Sequence, residues 1–279
     1  MIKAALIGSG ISGSLTPTLH KAEGAVQGLN YAYGRYDMAT PRYADATLAD
    51  VLSMAEQDGL AGVNVTYPFK QDVIAHLDSQ TPEAVDIGAV NTVMFEAGKR
   101  IGQNTDYAGF RASFRREIGN MERADVLLAG AGGAGAAVGL ALLDEGVETL
   151  HVFDRVAHSA QGLVVSLSRL RPSAEVKVWG AKMRVDGMVN ATPMGMATHP
   201  GMVISLDDIQ VAHWVCDIVY FPLETVLLAA ARLRGLHTMT GGGMAVGQAA
   251  VSFELFTGRS ADVARMTAHF QSQTKDSFQ

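Results

Sequence analysis

VLLAGAGGAG, residues 126–135, carries an apolar strand-like run into a glycine-rich turn, and AAVGLALL at 136–143 continues it as an apolar helix-like segment. Glycines at 130, 132 and 135 make the G-x-G-x-x-G spacing in the strand-turn-helix setting that a dinucleotide requires. The reason is access to the backbone. Gly130 permits the tight turn, Gly132 lets the chain approach a pyrophosphate, and Gly135 lets the helix pack closely. The helix start offers free amides and the positive end of its dipole, with Ala131, Gly133 and Ala134 completing the cradle. Asp154 closes the next strand, where a carboxylate accepts hydrogen bonds from ribose hydroxyls. NAD is therefore the expected cofactor and NADP the lesser one, because a 2′-phosphate there would meet a like charge at a cost of about 1–4 kcal/mol. Arg155 pulls the other way, since a guanidinium pairs with phosphate.

Outward from this turn, strands and helices alternate. Toward the amino terminus the pattern predicts strands over 4–7, 31–36 and 62–65 and helices over 17–27, 48–57 and 70–77, then a hairpin of 89–95 and 100–104 around Gly98. Thr16 before Pro17 suits a helix start, with the hydroxyl as cap. A helix over 106–118 leads into strands at 126–129, 149–153, 175–178, 188–189 and 214–219, with helices at 134–143, 158–170 and 224–234. Two amphipathic helices, 244–256 and 260–270, close the chain without a strand of their own, and a polar tail from 271 to 279 is expected to fray. Such alternation implies right-handed crossovers and largely parallel sheets, hence an α/β fold. With 279 residues the chain sits near the limit for one core, so two domains are expected, joined by short connections near Asp106 and Thr240.

Composition removes several classes of function. With 48% hydrophobic and 18% charged residues, the chain supports a sizeable core. Lysine and arginine number 22 against 28 acidic residues, a net charge of −6 without basic runs, so no nucleic-acid partner is expected. The uncharged run at 126–143 is broken by its glycines and is no membrane span. No leader-like segment opens the sequence, and the single cysteine, Cys216, fits a reducing compartment, so a cytoplasmic setting is expected. The histidines show no ligand spacing, so no metal is expected.

Polar residues recur in turns where strands end: SLTP at 14–17, NVTYPFK at 64–70, AVNT at 89–92 and QNTD at 103–106. Carboxyl ends of strands face the ligand crevice of open α/β sheets, and hydroxyls, amides, one ammonium and one carboxylate suit a small polyhydroxylated substrate. Singly, Lys70 reads as a solvated first-turn lysine, Asp106 as a helix N-cap, and Asn64, Asn91 and Gln248 as structural amides.

Together with GAVNT at 88–92, GAGGAG at 130–135, NATPMGM at 190–196, DIVYFPLET at 217–225 and GGGMAVGQA at 241–249, these motifs resemble the shikimate and quinate dehydrogenase family over nearly the whole chain. The resemblance implies a discontinuous substrate-binding domain of 1–105 and 240–279, a Rossmann-type dinucleotide domain of 106–239, and an active site in the cleft between them. It implies that Ser14 and Thr16 hold a substrate carboxylate, and that Asn64, Thr66, Asn91 and Gln248 bind ring hydroxyls or that carboxylate, with Tyr220 nearby. Lys70 and Asp106 are then the catalytic pair, and Thr192, Met194, Val219 and Met244 line the nicotinamide side. The implied substrate is a cyclohexene or cyclohexane carboxylate such as shikimate or quinate; a monomer or homodimer is expected.

The chemistry fits these residues. Oxidising a secondary alcohol sends hydride to the nicotinamide, leaving the protein to manage the proton. A neutral Lys70 accepts it and an ammonium returns it, while Asp106 orients the hydroxyl and stabilises the cation. Departures from the family pattern are informative. Thr16 replaces the second serine of S-x-S-P, as in the NAD-using quinate/shikimate branch. Gly13 stands where a basic or imidazole group often precedes Ser14, and Tyr107 where glycine often follows NTD. Asp154-Arg155-Val156 replaces the Asn-Arg-Thr phosphate grip of biosynthetic NADP enzymes.

Overall fold

The computed structural model describes residues 1–180 and 184–275. They divide into two compact units, residues 1–105 with 246–275, and residues 106–245. The expected second boundary at 240 differs from this division, which falls inside a continuous helix.

The first unit begins with strand β1 (Ile2–Gly8), helix α1 (Thr16–Val26), β2 (Tyr31–Asp37), α2 (Leu48–Gln57) and β3 (Gly62–Val65). It continues with β4 (Ser79–Gln80), α3 (Pro82–Ile87), β5 (Thr92–Glu96) and β6 (Lys99–Gln103). The sheet order is β2-β1-β3-β5-β6-β4. β1 is parallel to β2 and β3, whereas β5 runs antiparallel to β3 and β6. Because side chains alternate across a strand, Ala5 and Ile7 of β1 enter a core with Val51, Leu52, Val63 and Val93, and Ala4 and Leu6 face Tyr33, Met94 and Phe256. Each large apolar side chain fully buried here contributes about 1.5–3 kcal/mol.

The second unit contains α4 (Thr105–Glu117), which starts one residue before the unit boundary, then β7 (Asp125–Ala129), α5 (Gly133–Asp144), β8 (Thr149–Phe153), α6 (Ala157–Leu170) and β9 (Glu175–Val178). There follow β10 (Arg184–Asn190), β11 (Gln210–Asp217), α7 (Val226–Leu233), β12 (His237–Met239) and α8 (Gly242–Thr257), which re-enters the first unit. Its strands, in the order β12-β11-β10-β7-β8-β9, are all parallel. This is the doubly wound order, whose strand sequence reverses between β7 and β10, where ligands bind. The last helix, α9 (Val263–Lys275), is tied to α1 by Arg265, whose Nη2 and Nε donate to buried Glu23 at 2.6 and 2.8 Å.

Several local expectations are corrected. The helix expected over 70–77 is a turn through Lys70 followed by a short 3-10 helix, Asp72–His76. Thr16 is not a cap: it is already helical, and no side chain caps α1. The strand expected over 214–219 ends at Asp217, because its carboxylate accepts from the Val219 amide and turns the chain. Strands β4 and β12 and helix α3 are too short to show a period, although Thr81 caps α3, Pro82 begins it and Gly88 ends it at φ 67°. The tail expected to fray from 271 stays helical through Lys275, and 276–279 lie outside the described residues. Among the described residues no helix is long and apolar enough to cross a membrane.

Candidate active site

In the first unit β1 and β3 are adjacent parallel strands, so the loops after them are neighbours. Thr66 donates its amide to the Ile7 carbonyl at 2.9 Å, Ser9 donates to the Tyr67 carbonyl at 3.1 Å, and a Cβ on Gly8 would meet the Thr66 methyl at 2.5 Å. Asp37, at the end of β2, holds the first loop by accepting from the Gly10 and Ile11 amides at 2.8 and 3.0 Å. Arg35 fixes the Ser14 carbonyl at 2.7 Å. Ser14 Oγ donates to Thr16 Oγ1 at 3.3 Å, placing both hydroxyls at the uncapped, electropositive start of α1. Such a helix end with two hydroxyls suits a carboxylate. Lys70 is half-buried after β3, its carbonyl fixed by the Val90 amide at 2.8 Å.

Asn64 and Asn91 are buried in one hydrogen-bonded chain. Tyr33 donates to Asn64 Oδ1 at 2.6 Å, and Asn64 Nδ2 donates to Thr92 Oγ1 at 2.9 Å and the Asn91 carbonyl at 3.4 Å. Thr92 Oγ1 donates to Asn91 Oδ1 at 3.1 Å. Asn91 Oδ1 also accepts from the Thr105 amide at 2.8 Å, and its Nδ2 donates to Thr105 Oγ1 at 2.9 Å. Both amides are thereby fixed in orientation, Asn64 Nδ2 donating to two acceptors and Asn91 Nδ2 to one. Gln248 is half-buried on α8.

In the second unit the glycine turn divides its work among its glycines. Gly130 has φ 111°, and a Cβ there would meet the Ala191 carbonyl oxygen at 2.7 Å. A Cβ on Gly135 would lie 2.0 Å from the Gly130 carbonyl oxygen, whereas one on Gly132 would project into open space. The helix begins at Gly133 with no side-chain cap. Open space before uncapped amides is the cradle a pyrophosphate fits. Asp154 is pinned beside it, Oδ2 accepting from the Ala131 amide and Oδ1 from the Val156 amide, each at 2.8 Å. Its neighbour Arg155 is exposed.

The loop after β10 is folded around buried Asn190, which accepts from the Thr192 hydroxyl at 2.6 Å and donates to the Met194 carbonyl and to Asp217 Oδ1, both at 2.9 Å. Asp217 also accepts from Thr225 Oγ1 at 2.7 Å and the Val219 amide at 3.0 Å. Burial pushes its carboxyl up to about 6 although these hydrogen bonds favour the anion. A Cβ on Gly241 would meet the Ile218 carbonyl oxygen at 2.2 Å, so the turn leading to buried Met244 packs against the turn carrying Val219. Thr192 lies directly against the glycine turn, where a Cβ on Gly130 would meet its methyl at 3.0 Å, while Met194 and Val219 are tied to Asn190 and Asp217. Tyr220 follows half-buried.

Lys70 belongs to the first unit and Asp106, buried in the first turn of α4, to the second. The sequence reading missed the supports: Asp37, Tyr33 and Thr105 in one unit, Asn190, Asp217 and Thr225 in the other. The motifs holding Asn190, Asp217 and Thr225 were their only signal. It also gave no sign that Glu122, Asp186 and His213 bring ligand-type atoms within 4.8 Å of one another. That group lies toward the strand starts, where His213 pairs with Glu122 at 2.9 Å and Asp186 accepts from the Asp125 amide.

Comparison with known proteins agrees with this architecture. Residues 6–93 match the shikimate dehydrogenase substrate binding domain and residues 241–269 the shikimate 5'-dehydrogenase C-terminal domain. The chain is 42% identical over 271 residues to a shikimate dehydrogenase (NADP(+)) of Pseudarthrobacter chlorophenolicus, covering 95% of this chain and 92% of the relative. It is 41% identical over 274 residues to a quinate/shikimate dehydrogenase (NAD(+)) of Corynebacterium efficiens, covering 96% of each. A solved structure of quinate dehydrogenase from Corynebacterium glutamicum in complex with NAD superposes with a TM-score of 0.86 at 39% identity, covering 97% of this chain and 99% of that one. Two domain matches, relatives aligned almost end to end and a shared fold place this chain in the shikimate and quinate dehydrogenase family.

Proposed function

We propose that this protein catalyses the reversible, NAD-dependent oxidation of the ring hydroxyl of shikimate to the 3-dehydro acid, with quinate as a second substrate. The observation that carries the cofactor half is Asp154, a strand-end carboxylate locked beside the glycine turn by the Ala131 and Val156 amides. It accepts the ribose hydroxyls and repels a 2′-phosphate. Amides of residues 133–135 hold the pyrophosphate, and Thr192, Met194, Val219 and Met244 shape the nicotinamide side. A bound nicotinamide dinucleotide supplies the hydride acceptor.

In the first unit, Ser14 and Thr16 donate to the substrate carboxylate at the start of α1. Asn64, Thr66, Asn91 and Gln248 fix its remaining oxygens, with Tyr220 nearby. Lys70 as a neutral amine takes the alcohol proton and as an ammonium returns it to the carbonyl, and Asp106 orients the hydroxyl and stabilises the cationic lysine. Quinate carries an extra tertiary hydroxyl beside its carboxylate, which the Ser14 and Thr16 corner must accommodate.

Supplying shikimate and quinate separately with NAD and with NADP tests the reading directly. Highest efficiency with shikimate and NAD is expected, and turnover of neither acid with either cofactor would overturn the assignment. Lys70→Ala should lose at least about a hundredfold in kcat. Asp154→Asn should raise NADP use, and an unchanged NAD preference would move the discrimination elsewhere. The competing reading, an NADP-dependent 3-dehydroshikimate reductase of aromatic biosynthesis, draws on the Pseudarthrobacter relative and on Arg155. Higher efficiency with NADP in the same assay would establish it. A non-turning-over ligand sensor would show no rate for Lys70→Ala to remove.

A further inference from the structure

Asp106 sits in the first turn of α4, where backbone amides lack intrahelical acceptors and the chain depends on tertiary ties. Both sequence neighbours are tied. Thr105 is held through its amide and hydroxyl by Asn91. On the other side, Tyr107 donates its phenolic hydroxyl to Asp144 Oδ2 at 2.7 Å and accepts from Arg111 Nη1 at 2.9 Å. Asp144 is the last residue of α5, gripped by Arg171 through Nε at 2.5 Å and Nη2 at 2.8 Å. One and two turns further along α4, Arg111 and Arg115 reach Glu145 at 2.5 and 2.7 Å.

This arrangement joins two functions through one helix. The amino end of α5 is the glycine turn, and its carboxyl end anchors the turn carrying Asp106. The anchor is a single phenolic hydroxyl, which donates to Asp144 and accepts from Arg111. Burial and the hydrogen bond to Asp144 push the Tyr107 phenol up to about 12, so it stays a donor at neutral pH.

We propose that Tyr107, acting through Asp144, is a positioning residue that sets the placement of Asp106 relative to the dinucleotide turn, and so governs kcat rather than affinity. The proposal rests on the assignment of Asp106 to the reaction. Misplacing a reacting group by about an ångström costs up to about a hundredfold in rate, so loss of one of several ties should cost about tenfold.

The test is Tyr107→Phe, which keeps the ring and its packing against Arg111 and removes only the hydroxyl. It is made in the otherwise unchanged protein and in Asp106→Asn, and assayed with shikimate and NAD alongside thermal unfolding. Expected is a kcat about tenfold lower, KM for shikimate and NAD within about twofold, and no further loss in the Asp106→Asn background. An equal loss in both backgrounds, or a lower Tm with kcat unchanged, would show a merely structural tie and overturn the proposal. If Asp106→Asn by itself leaves kcat intact, the assignment of Asp106 fails first and takes the proposal with it. That failure is read from the single variant alone, whatever Tyr107→Phe does.

Discussion

Each unit buries a polar network, one around Asn64 of β3 and the start of β5, the other at the ends of β10 and β11, and the two are built from opposite materials. The Tyr33–Asn64–Thr92–Asn91–Thr105 chain is entirely neutral. The Asn190–Asp217–Thr225 network has a carboxylate at its centre. Neutral groups with matched partners are desolvated at modest cost and hold their geometry at any pH near neutrality. A carboxylate organises more donors around one point, here an amide nitrogen, a backbone N–H and a hydroxyl, but burial penalises its charge. On the proposed reading the neutral network supports the substrate's hydroxyls, and the charged one shapes the loop against the nicotinamide.

The largest expected effect breaks the neutral side. Asn64→Leu removes an acceptor from Tyr33 and a donor from Thr92 in a buried site, so unfolding free energy should fall by about 2–4 kcal/mol, by the same amount across the neutral pH range. Denaturant unfolding at several pH values checks both the size and the flatness. A loss that varied with pH would mean the network is coupled to a titrating group.

The next effect sharpens the charged side. Because burial raises Asp217 to about 6, the native state keeps its proton over a range in which the unfolded chain has released it. Stability from this group is present on the acid side and declines as pH rises through about 6. Relative to Asp217→Asn, the unaltered protein should lose about 2 kcal/mol between about pH 4.5 and 7.5. Parallel stability curves for the two proteins would remove the buried charge from the comparison.

The smallest stability effect belongs to the turn beside that network. Gly132→Ala points a methyl into open space, so unfolding free energy should change by less than about 0.5 kcal/mol. The same methyl would occupy the pyrophosphate cradle, and calorimetric titration with NAD should show binding at least about tenfold weaker. Unchanged affinity would place the pyrophosphate elsewhere.

Much of this was legible before folding. Alternating apolar segments gave α2, β3, β8 and β9 at their observed bounds, because burial on one face imposes a period that survives in one dimension. The glycine spacing gave the cradle because its requirement is local. Elements shorter than their own period, such as β4, α3 and β12, left too little pattern, and the helix expected from Lys70 onward became a turn whose carbonyl is claimed by the distant Val90 amide.

The sequence alone therefore determined the strand-helix alternation, the phosphate-type turn and the inventory of polar groups at strand ends, since each depends on residues a few positions apart. Tertiary structure decided which of those groups are fixed and by what. Asp37 under the Ser14 loop, Asn91 on Thr105, Asp144 on Tyr107 and Asp217 between Asn190 and Thr225 pair residues from separate segments. A hydrogen bond is set by distance in space, and only the packed sheets bring these donors and acceptors within reach.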